Sequence, residues 1–146
     1  MSVLVDANIL VRLEDLDSPR SAVCEAALEQ LLRHGDTAHL CAQAAIEYWA
    51  VATRPKDVNG LGLDPAQAEA GLRKAERWVA WLSEPPDIAA RWRRLVTQHA
   101  IRGKQAHDVR LVALMEAHGL TRLLTLNPRD FRRFPAITCL HPADVR

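Results

Sequence analysis

Three acidic residues stand where the local pattern predicts that a strand ends or a helix begins. Asp6 directly follows the apolar run Ser2–Val5, Glu47 lies among almost uninterrupted apolar residues, and Asp108 heads the segment HDVRLVALMEAHG. Carboxylates in such apolar settings are costly to bury unless they are paired or bind a cation. Their oxygen atoms suit Mg²⁺ or Mn²⁺ rather than zinc. An ion of this kind promotes the hydrolysis of phosphodiester bonds.

Each of these acids also has an ordinary structural interpretation. Asp6 could cap the helix that follows it, and Asp108 could cap its own helix, because Asp is a preferred capping residue. Glu47 could be an exposed side chain near Arg54. At 3.6 residues per turn, however, Asp108 shares a helical face with the apolar residues Leu111, Val112 and Met115. That alignment favours a functional acid over a simple cap.

A polar segment follows the predicted strand at residues 122–125. Asn127 comes two residues after Thr125, and Asp130 comes five residues after it. Either side chain could supply an oxygen to a site shared with the other acids. An Asn-Pro pair is also common in turns, so a plain turn is the alternative.

Short apolar runs alternate with helical patterns along the chain. Strands are predicted at Ser2–Val5, Thr37–Leu40 and residues 122–125 and 137–140. Helices are predicted over about 7–14, 19–34, 43–53, 65–82, 87–101 and 107–118, with Ser-Pro and Asp-Pro pairs as two of the start signals. This alternation predicts parallel βαβ units with helices on both faces of one sheet. Such sheets bind ligands beyond the carboxyl ends of their strands, which is where Asp6 and the residues after Thr125 fall.

The length and composition indicate one domain over residues 1–146. The chain has 146 residues, 49% hydrophobic and 25% charged, an ordinary globular balance. No apolar run approaches the ~20 residues of a membrane span, and the N-terminus lacks a signal-peptide pattern. Three cysteines without a CxxC pair argue against a disulfide framework or a zinc knuckle. We therefore expect a cytoplasmic protein.

The charge is divided unevenly between the two halves of the chain. Residues 1–72 carry five basic and 11 acidic residues, whereas residues 73–146 carry 14 basic and seven acidic ones. One basic segment contains Arg91, Arg93, Arg94, Arg102, Lys104 and Arg110. It could form a phosphate-binding rim or simply a solvated helix face. The tryptophans at 78 and 81, three residues apart on the predicted helix, could cover a partner surface.

Four segments together resemble one known family. VLVDANIL with Asp6, IEYWAVATRP with Glu47, HDVRLVALMEAHG with Asp108, and LLTLNPRDFRRF resemble the PIN domain, and most of all the VapC-type ribonuclease toxins of bacterial toxin–antitoxin pairs. The resemblance covers nearly the whole chain in order, although residues 55–100 match only in being helical. It implies a three-layer α/β/α sandwich with a parallel sheet of four or five strands. It also implies a metal-dependent endoribonuclease that uses Mg²⁺ or Mn²⁺.

The resemblance assigns roles to individual residues. Asp6, Glu47 and Asp108 would be the catalytic, metal-binding acids. The position of the family's fourth acid carries Asn127 here, with Asp130 downstream, so the sequence departs from the strict four-acid pattern. We expect Asn127 to complete the metal site. The expected substrate-binding residues are Asn8, Thr125, Asp130 and Arg110.

The implied partners are an RNA substrate, a small antitoxin protein and a second copy of the chain. Two alternatives stay open from the sequence. The departure at Asn127 allows a non-catalytic RNA-binding protein with the same fold. A phosphatase that forms an aspartyl-phosphate would also place an Asp after the first strand, but such enzymes usually have a second Asp where this chain has Asn8.

Overall fold

The apolar run Ser2–Val5 forms the central strand of a five-stranded parallel sheet. The computed structural model describes all residues from Met1 to Arg146. The elements in chain order are β1 (Ser2–Val5), α1 (Ala7–Glu14), α2 (Pro19–Arg33), β2 (Thr37–Leu40), α3 (Ala42–Thr53), α4 (Pro65–Ala75), β3 (Val79–Trp81), α5 (Ile88–Gln98), α6 (Gln105–His118), β4 (Arg122–Leu124) and β5 (Thr138–Leu140). The strand order across the sheet is β3-β2-β1-β4-β5. Three short 3₁₀ turns occupy Lys56–Val58, Pro128–Phe131 and Pro142–Asp144.

The strand order explains why β1 is continuously apolar. In β1, Val3, Leu4 and Val5 have no exposed surface, because both faces of the central strand are covered. Leu4 lies opposite His39 of β2 on one side and Leu123 of β4 on the other. Leu111, Leu114 and Met115 of α6 join the same core.

The chain reverses direction across the sheet between β3 and β4. It moves outward from β1 to β2 and β3, then crosses back to β4 beside β1. Because such crossovers are right-handed, α1 to α4 belong to one face and α5 and α6 to the other. The helix contacts agree: α1 packs on α2, α3 and α4, and α5 packs on α6. The carboxyl ends of β1 and β4 therefore flank the topological switch point, where sheets of this kind bind ligands.

One predicted helix is partly wrong. The helix that starts at Asp64-Pro65 ends at Ala75 instead of about residue 82, and Val79–Trp81 forms the edge strand β3. The pairing of Ala38 with Val79 creates this strand through contact with β2. As a result, Trp78 and Trp81 do not share a helical face. Trp81 is 46% exposed, and its indole N–H donates a hydrogen bond to Glu76.

The other predicted elements are confirmed with shifts of a few residues at their ends. Ser18 caps α2 with Pro19 in its first turn, and Asp64 forms a capping box at α4. Gly119 ends α6 with a φ of 67°, a left-handed conformation that glycine adopts freely. None of the helices combines the length and the apolar character needed to cross a bilayer.

Candidate functional site

Asp6 is fixed at the junction between β1 and α1. Its backbone N–H donates to the carbonyl of Leu124 at 3.0 Å, which continues the pairing of β1 with β4. Its Oδ1 accepts from the N–H of Ala7 at 2.7 Å, so Asp6 does cap α1. Its Oδ2 accepts from the hydroxyl of Thr125 at 2.8 Å. Only 8% of the residue is exposed. The capping interpretation of Asp6 is therefore confirmed, and its predicted catalytic and metal-binding role stays a prediction.

Asn8 and Thr125 join the turn after β1 to the turn after β4. The Thr125 hydroxyl oxygen accepts from Asn8 Nδ2 at 3.2 Å and from the N–H of Asn127 at 3.1 Å. Asn8 Oδ1 in turn accepts from the N–H of Leu126 at 3.1 Å. In this structure both side chains position Asp6. Their predicted contact with substrate stays a prediction.

Glu47 lies in the second turn of α3, and Asp108 lies in the first turn of α6. Glu47 is half-buried on α3 and accepts from Gln43, not from Arg54. Asp108 is half-buried in the first turn of α6. Because α6 begins at Gln105 and its N-cap is Lys104, Asp108 does not cap the helix. The capping interpretation of Asp108 is therefore wrong.

The carboxylates influence each other's ionisation. The pKa of Asp108 is raised to about 6. Burial is the largest cause, and the charges of Asp130, Asp6 and Glu47 contribute the rest. Burial also raises the pKa of Asp6, against the lowering effect of the hydrogen bond from Thr125, and Glu47 and Asp130 add to the increase. Asp108 therefore lies within electrostatic range of the other three carboxylates, and Asp6 lies within range of Glu47 and Asp130. We call Asp6, Glu47, Asp108 and Asp130 the acidic cluster.

In the segment after β4, Asp130 is the residue that adds a negative charge to the acidic cluster. This residue lies in the 3₁₀ turn Pro128–Phe131 and is half-buried. Asn127 is exposed and is tied to the site through its backbone N–H. The predicted metal contact of Asn127 stays a prediction.

The donor chemistry of the acidic cluster fits a hard divalent cation. All four groups offer only oxygen, and their mutual repulsion is the kind that a cation relieves. No three His, Cys, Asp or Glu side chains lie close enough together to form a ready-made metal cage. An ion bound here would therefore need water ligands in addition to the carboxylates.

The guanidinium of Arg110 is held by contacts within the protein. It forms an ion pair with Glu84, Nη2 to Oε2 at 2.8 Å, and its Nη1 donates to Oε1 of Gln43 at 3.1 Å. The predicted role of Arg110 in substrate binding stays a prediction. Sequence reasoning missed Gln43 and Glu84. The spacing of four residues between Gln43 and Glu47 on one helix was the one local signal available.

The basic segment is partly neutralised. Arg91 pairs with Asp87 and Glu116, and Arg94 pairs with Glu116. Three exposed cations of the segment form no ion pair: Arg93, Arg102 and Lys104. Arg102 and Lys104 lie just before the start of α6, whose first turn carries Asp108.

The PIN domain family matches residues 3–137, which is most of the chain. The chain belongs to the PIN domain family. Ribonuclease VapC48 of Mycobacterium tuberculosis is 28% identical over 144 residues, which cover 97% of this chain and 98% of the relative. The resemblance inferred from the four sequence segments is thereby confirmed.

Solved PIN proteins share the fold. VapBC2 from Rickettsia felis, bound to a DNA fragment from its promoter, matches with a TM-score of 0.71 and 17% identity, covering 96% of this chain and 98% of that one. VapC20 from Mycobacterium tuberculosis, a toxin that cleaves the sarcin-ricin loop, matches with a TM-score of 0.61 and 15% identity over 83% of this chain and 86% of that one. A toxin–antitoxin complex from Klebsiella pneumoniae matches with a TM-score of 0.62 and 23% identity over 96% of this chain and 97% of that one. The three-layer α/β/α fold with a parallel sheet is confirmed, and the sheet has five strands.

Proposed function

We propose that this protein is a metal-dependent endoribonuclease that hydrolyses RNA phosphodiester bonds and acts as the toxin of a toxin–antitoxin pair. The observation that carries the proposal is the acidic cluster at the switch point of a PIN-family sheet. The identity to a VapC ribonuclease over nearly the whole chain supports it.

Asp6, Glu47 and Asp108 would hold a Mg²⁺ or Mn²⁺ ion, with Asn127 or Asp130 completing the set of oxygen donors. The ion would supply Lewis-acid chemistry, which activates water and stabilises the negative charge that develops on the attacked phosphate. Hydrogen bonds to the Asp6 carboxylate from Ala7 and Thr125 favour its ionised form and partly offset the effect of burial, which raises its pKa. The positive ends of the α1, α3 and α6 dipoles also favour negative charge at this edge.

The exposed cations beside the site supply an approach for a phosphate backbone. Arg102 and Lys104 precede α6, whose first turn carries Asp108, and neither forms an ion pair. Attraction of this kind is independent of sequence and falls with salt. Asn8, Thr125, Asp130 and Arg110 are the further residues that we assign to substrate positioning.

We further propose a small antitoxin and a second copy of the chain as partners of a cytoplasmic protein. Three of the structural neighbours are toxin–antitoxin assemblies from Rickettsia felis, Haemophilus influenzae and Klebsiella pneumoniae. The half-exposed indole of Trp81 offers apolar surface for a homodimer. A monomeric mass at high concentration would contradict the homodimer.

The proposed function is tested with the Asp6→Asn variant on a mixed pool of labelled RNA, with Mn²⁺ and with EDTA. The asparagine keeps an oxygen for the N–H of Ala7, so the fold should persist while cleavage is lost. Asp57→Asn, an exposed carboxylate in the 3₁₀ turn after α3, is the matched control and should cleave normally. Full metal-dependent activity in Asp6→Asn would reject the assignment. Tight RNA binding by the unchanged protein without cleavage in Mn²⁺ would favour a non-catalytic RNA-binding protein.

A further inference from the structure

A buried amide links the acidic cluster to an ion pair on the neighbouring surface. Gln43 lies in the first turn of α3 and is 9% exposed. Its Nε2 donates to the backbone carbonyl of His107 at 2.7 Å and to Oε1 of Glu47 at 3.1 Å. Both hydrogens of the amide are therefore used, one on α6 and one on Glu47.

The orientation of this amide is fixed from its other side. Oε1 of Gln43 accepts from Nη1 of Arg110 at 3.1 Å. Exchanging the oxygen and nitrogen would turn the oxygen toward the Glu47 carboxylate and the His107 carbonyl, and would turn the NH₂ group toward a guanidinium. All three contacts would then be repulsive, so only the observed orientation satisfies the groups around it.

Glu84 controls where Arg110 points. It accepts two hydrogen bonds from the guanidinium, from Nη2 at 2.8 Å and from Nη1 at 3.4 Å. A fork-like contact of this kind fixes the plane of the guanidinium. Arg110 therefore presents an N–H to Gln43. Without Glu84, this N–H would no longer be held against Oε1 of Gln43, and the amide would lose the contact that fixes its orientation.

We propose that Gln43 is a positioning residue that holds Glu47 for cation binding, and that the Glu84–Arg110 ion pair acts on the site through Gln43. The inference rests on the proposed function, because it concerns the same cation. Partners that orient a ligand in this way are typically worth roughly 10–100-fold in metal affinity or activity.

The first test is calorimetric titration of the metal-free protein with Mn²⁺ alone. Gln43→Met keeps the length of the side chain but removes both polar groups, and it should weaken Mn²⁺ binding by about tenfold. Gln30→Met is the matched control, because Gln30 contacts only His34 on its own α2 surface, and its Mn²⁺ affinity should equal that of the unchanged protein. Equal affinity of Gln43→Met and the unchanged protein would overturn the inference.

A second variant tests the proposal without disturbing the buried amide. Glu84→Gln lies on a partly exposed side chain, so the fold should tolerate it, and it should weaken Mn²⁺ binding by less than Gln43→Met does. Glu69→Gln breaks a comparable Glu–Arg ion pair on α4 and should have no effect on affinity. An unchanged affinity in Glu84→Gln would overturn the part of the inference that concerns the ion pair.

The double variant, Gln43→Met with Glu84→Gln, tests the route between the two. If Glu84 acts through Gln43, the double variant should bind Mn²⁺ as weakly as Gln43→Met alone, whereas additive losses would overturn that route. In RNA cleavage by Gln43→Met, in which Glu84 still holds Arg110, the Mn²⁺ concentration for half-maximal rate should rise while the KM for RNA stays constant. No Mn²⁺ binding by the unchanged protein would overturn the proposed function together with this inference. Mn²⁺ binding by the unchanged protein together with an equal affinity in Gln43→Met would overturn the inference alone.

Discussion

Removing the charge of Asp108 should stabilise the metal-free protein at neutral pH. Burial and three neighbouring carboxylates raise the pKa of this group from 3.8 to about 6. A carboxyl whose pKa is higher in the folded state binds its proton more tightly there than in the unfolded chain. Its contribution to stability is therefore complete below pH 3.8 and is lost as the pH rises through 6. At pH 7.5 the ionised group opposes folding.

The size of the effect follows from the two pKa values. They differ by a little over two pH units, and each unit corresponds to 1.36 kcal/mol, which sets an upper limit of ~3 kcal/mol. Because the side chain is only half-buried, water screens part of this interaction. We expect Asp108→Asn to raise the free energy of unfolding by about 1–2 kcal/mol at pH 7.5. The midpoint of thermal unfolding should rise by about 3–6 °C.

The assay is urea unfolding in EDTA at pH 7.5 and pH 5.0. The advantage of Asp108→Asn should be roughly halved at pH 5.0, because the native acid is then largely protonated. Asp57→Asn, at an exposed carboxylate without a partner, serves as the matched control and should shift stability by less than about 0.5 kcal/mol. Saturating Mn²⁺ should reverse the order, since a cation that binds the complete acid set stabilises only the unchanged protein. If Asp108→Asn is no more stable than the unchanged protein at pH 7.5, the electrostatic reasoning about the acidic cluster is refuted.

Two further substitutions test a hydrogen bond of the candidate site and the packing of α4. Thr125→Val leaves Oδ2 of the buried Asp6 without the hydroxyl that donates to it, so the free energy of unfolding should fall by about 1–3 kcal/mol. Thr125→Ser keeps the hydroxyl and should recover most of the loss. A change below about 0.5 kcal/mol in the valine variant would contradict this expectation. Gly71→Ala adds a methyl group that would meet the Tyr48 hydroxyl and lie 2.7 Å from Cδ of Glu14. Thermal unfolding should show that the free energy of unfolding falls by about 1–3 kcal/mol, although alanine has the better helix propensity. A stabilised variant would show that α4 can move away.

The strands that the sequence predicts are those whose burial leaves a local pattern. In the strand Ser2–Val5 the last three residues are covered on both faces, and this burial requires an unbroken apolar run. Val79–Trp81 is different, because it is a three-residue edge strand with one buried residue and follows helix α4 almost directly. Its strand conformation depends on pairing with β2, which lies about forty residues earlier in the chain. A short segment of this kind carries no periodicity from which pairing could be inferred.

The residues of the candidate site also differ in whether a local sequence pattern could predict them. Asp6 and Asp108 could be singled out because each has a defined place relative to an apolar run or stripe. The contact from Arg110 to Gln43 joins residues 67 positions apart, and the contact from Arg110 to Glu84 joins residues 26 positions apart. Neither contact has a local signature, because each arises where separate elements meet above the sheet. The charge of Asp130 also becomes part of the acidic cluster only through the turn that follows β4.

The hydrogen bonds between elements explain how a self-repelling set of acids stays together. The four acids lie on four different segments, so repulsion could be relieved by small shifts of one helix against another. The Thr125–Asp6 bond ties β4 to the start of α1, and the Gln43–His107 bond ties α3 to α6. Both bonds therefore oppose the movement that repulsion would drive. A bound cation would also oppose this movement, because it offsets the repulsion between the carboxylates. We therefore expect cation binding to stabilise the carboxyl-end edge of the sheet more than the rest of the protein.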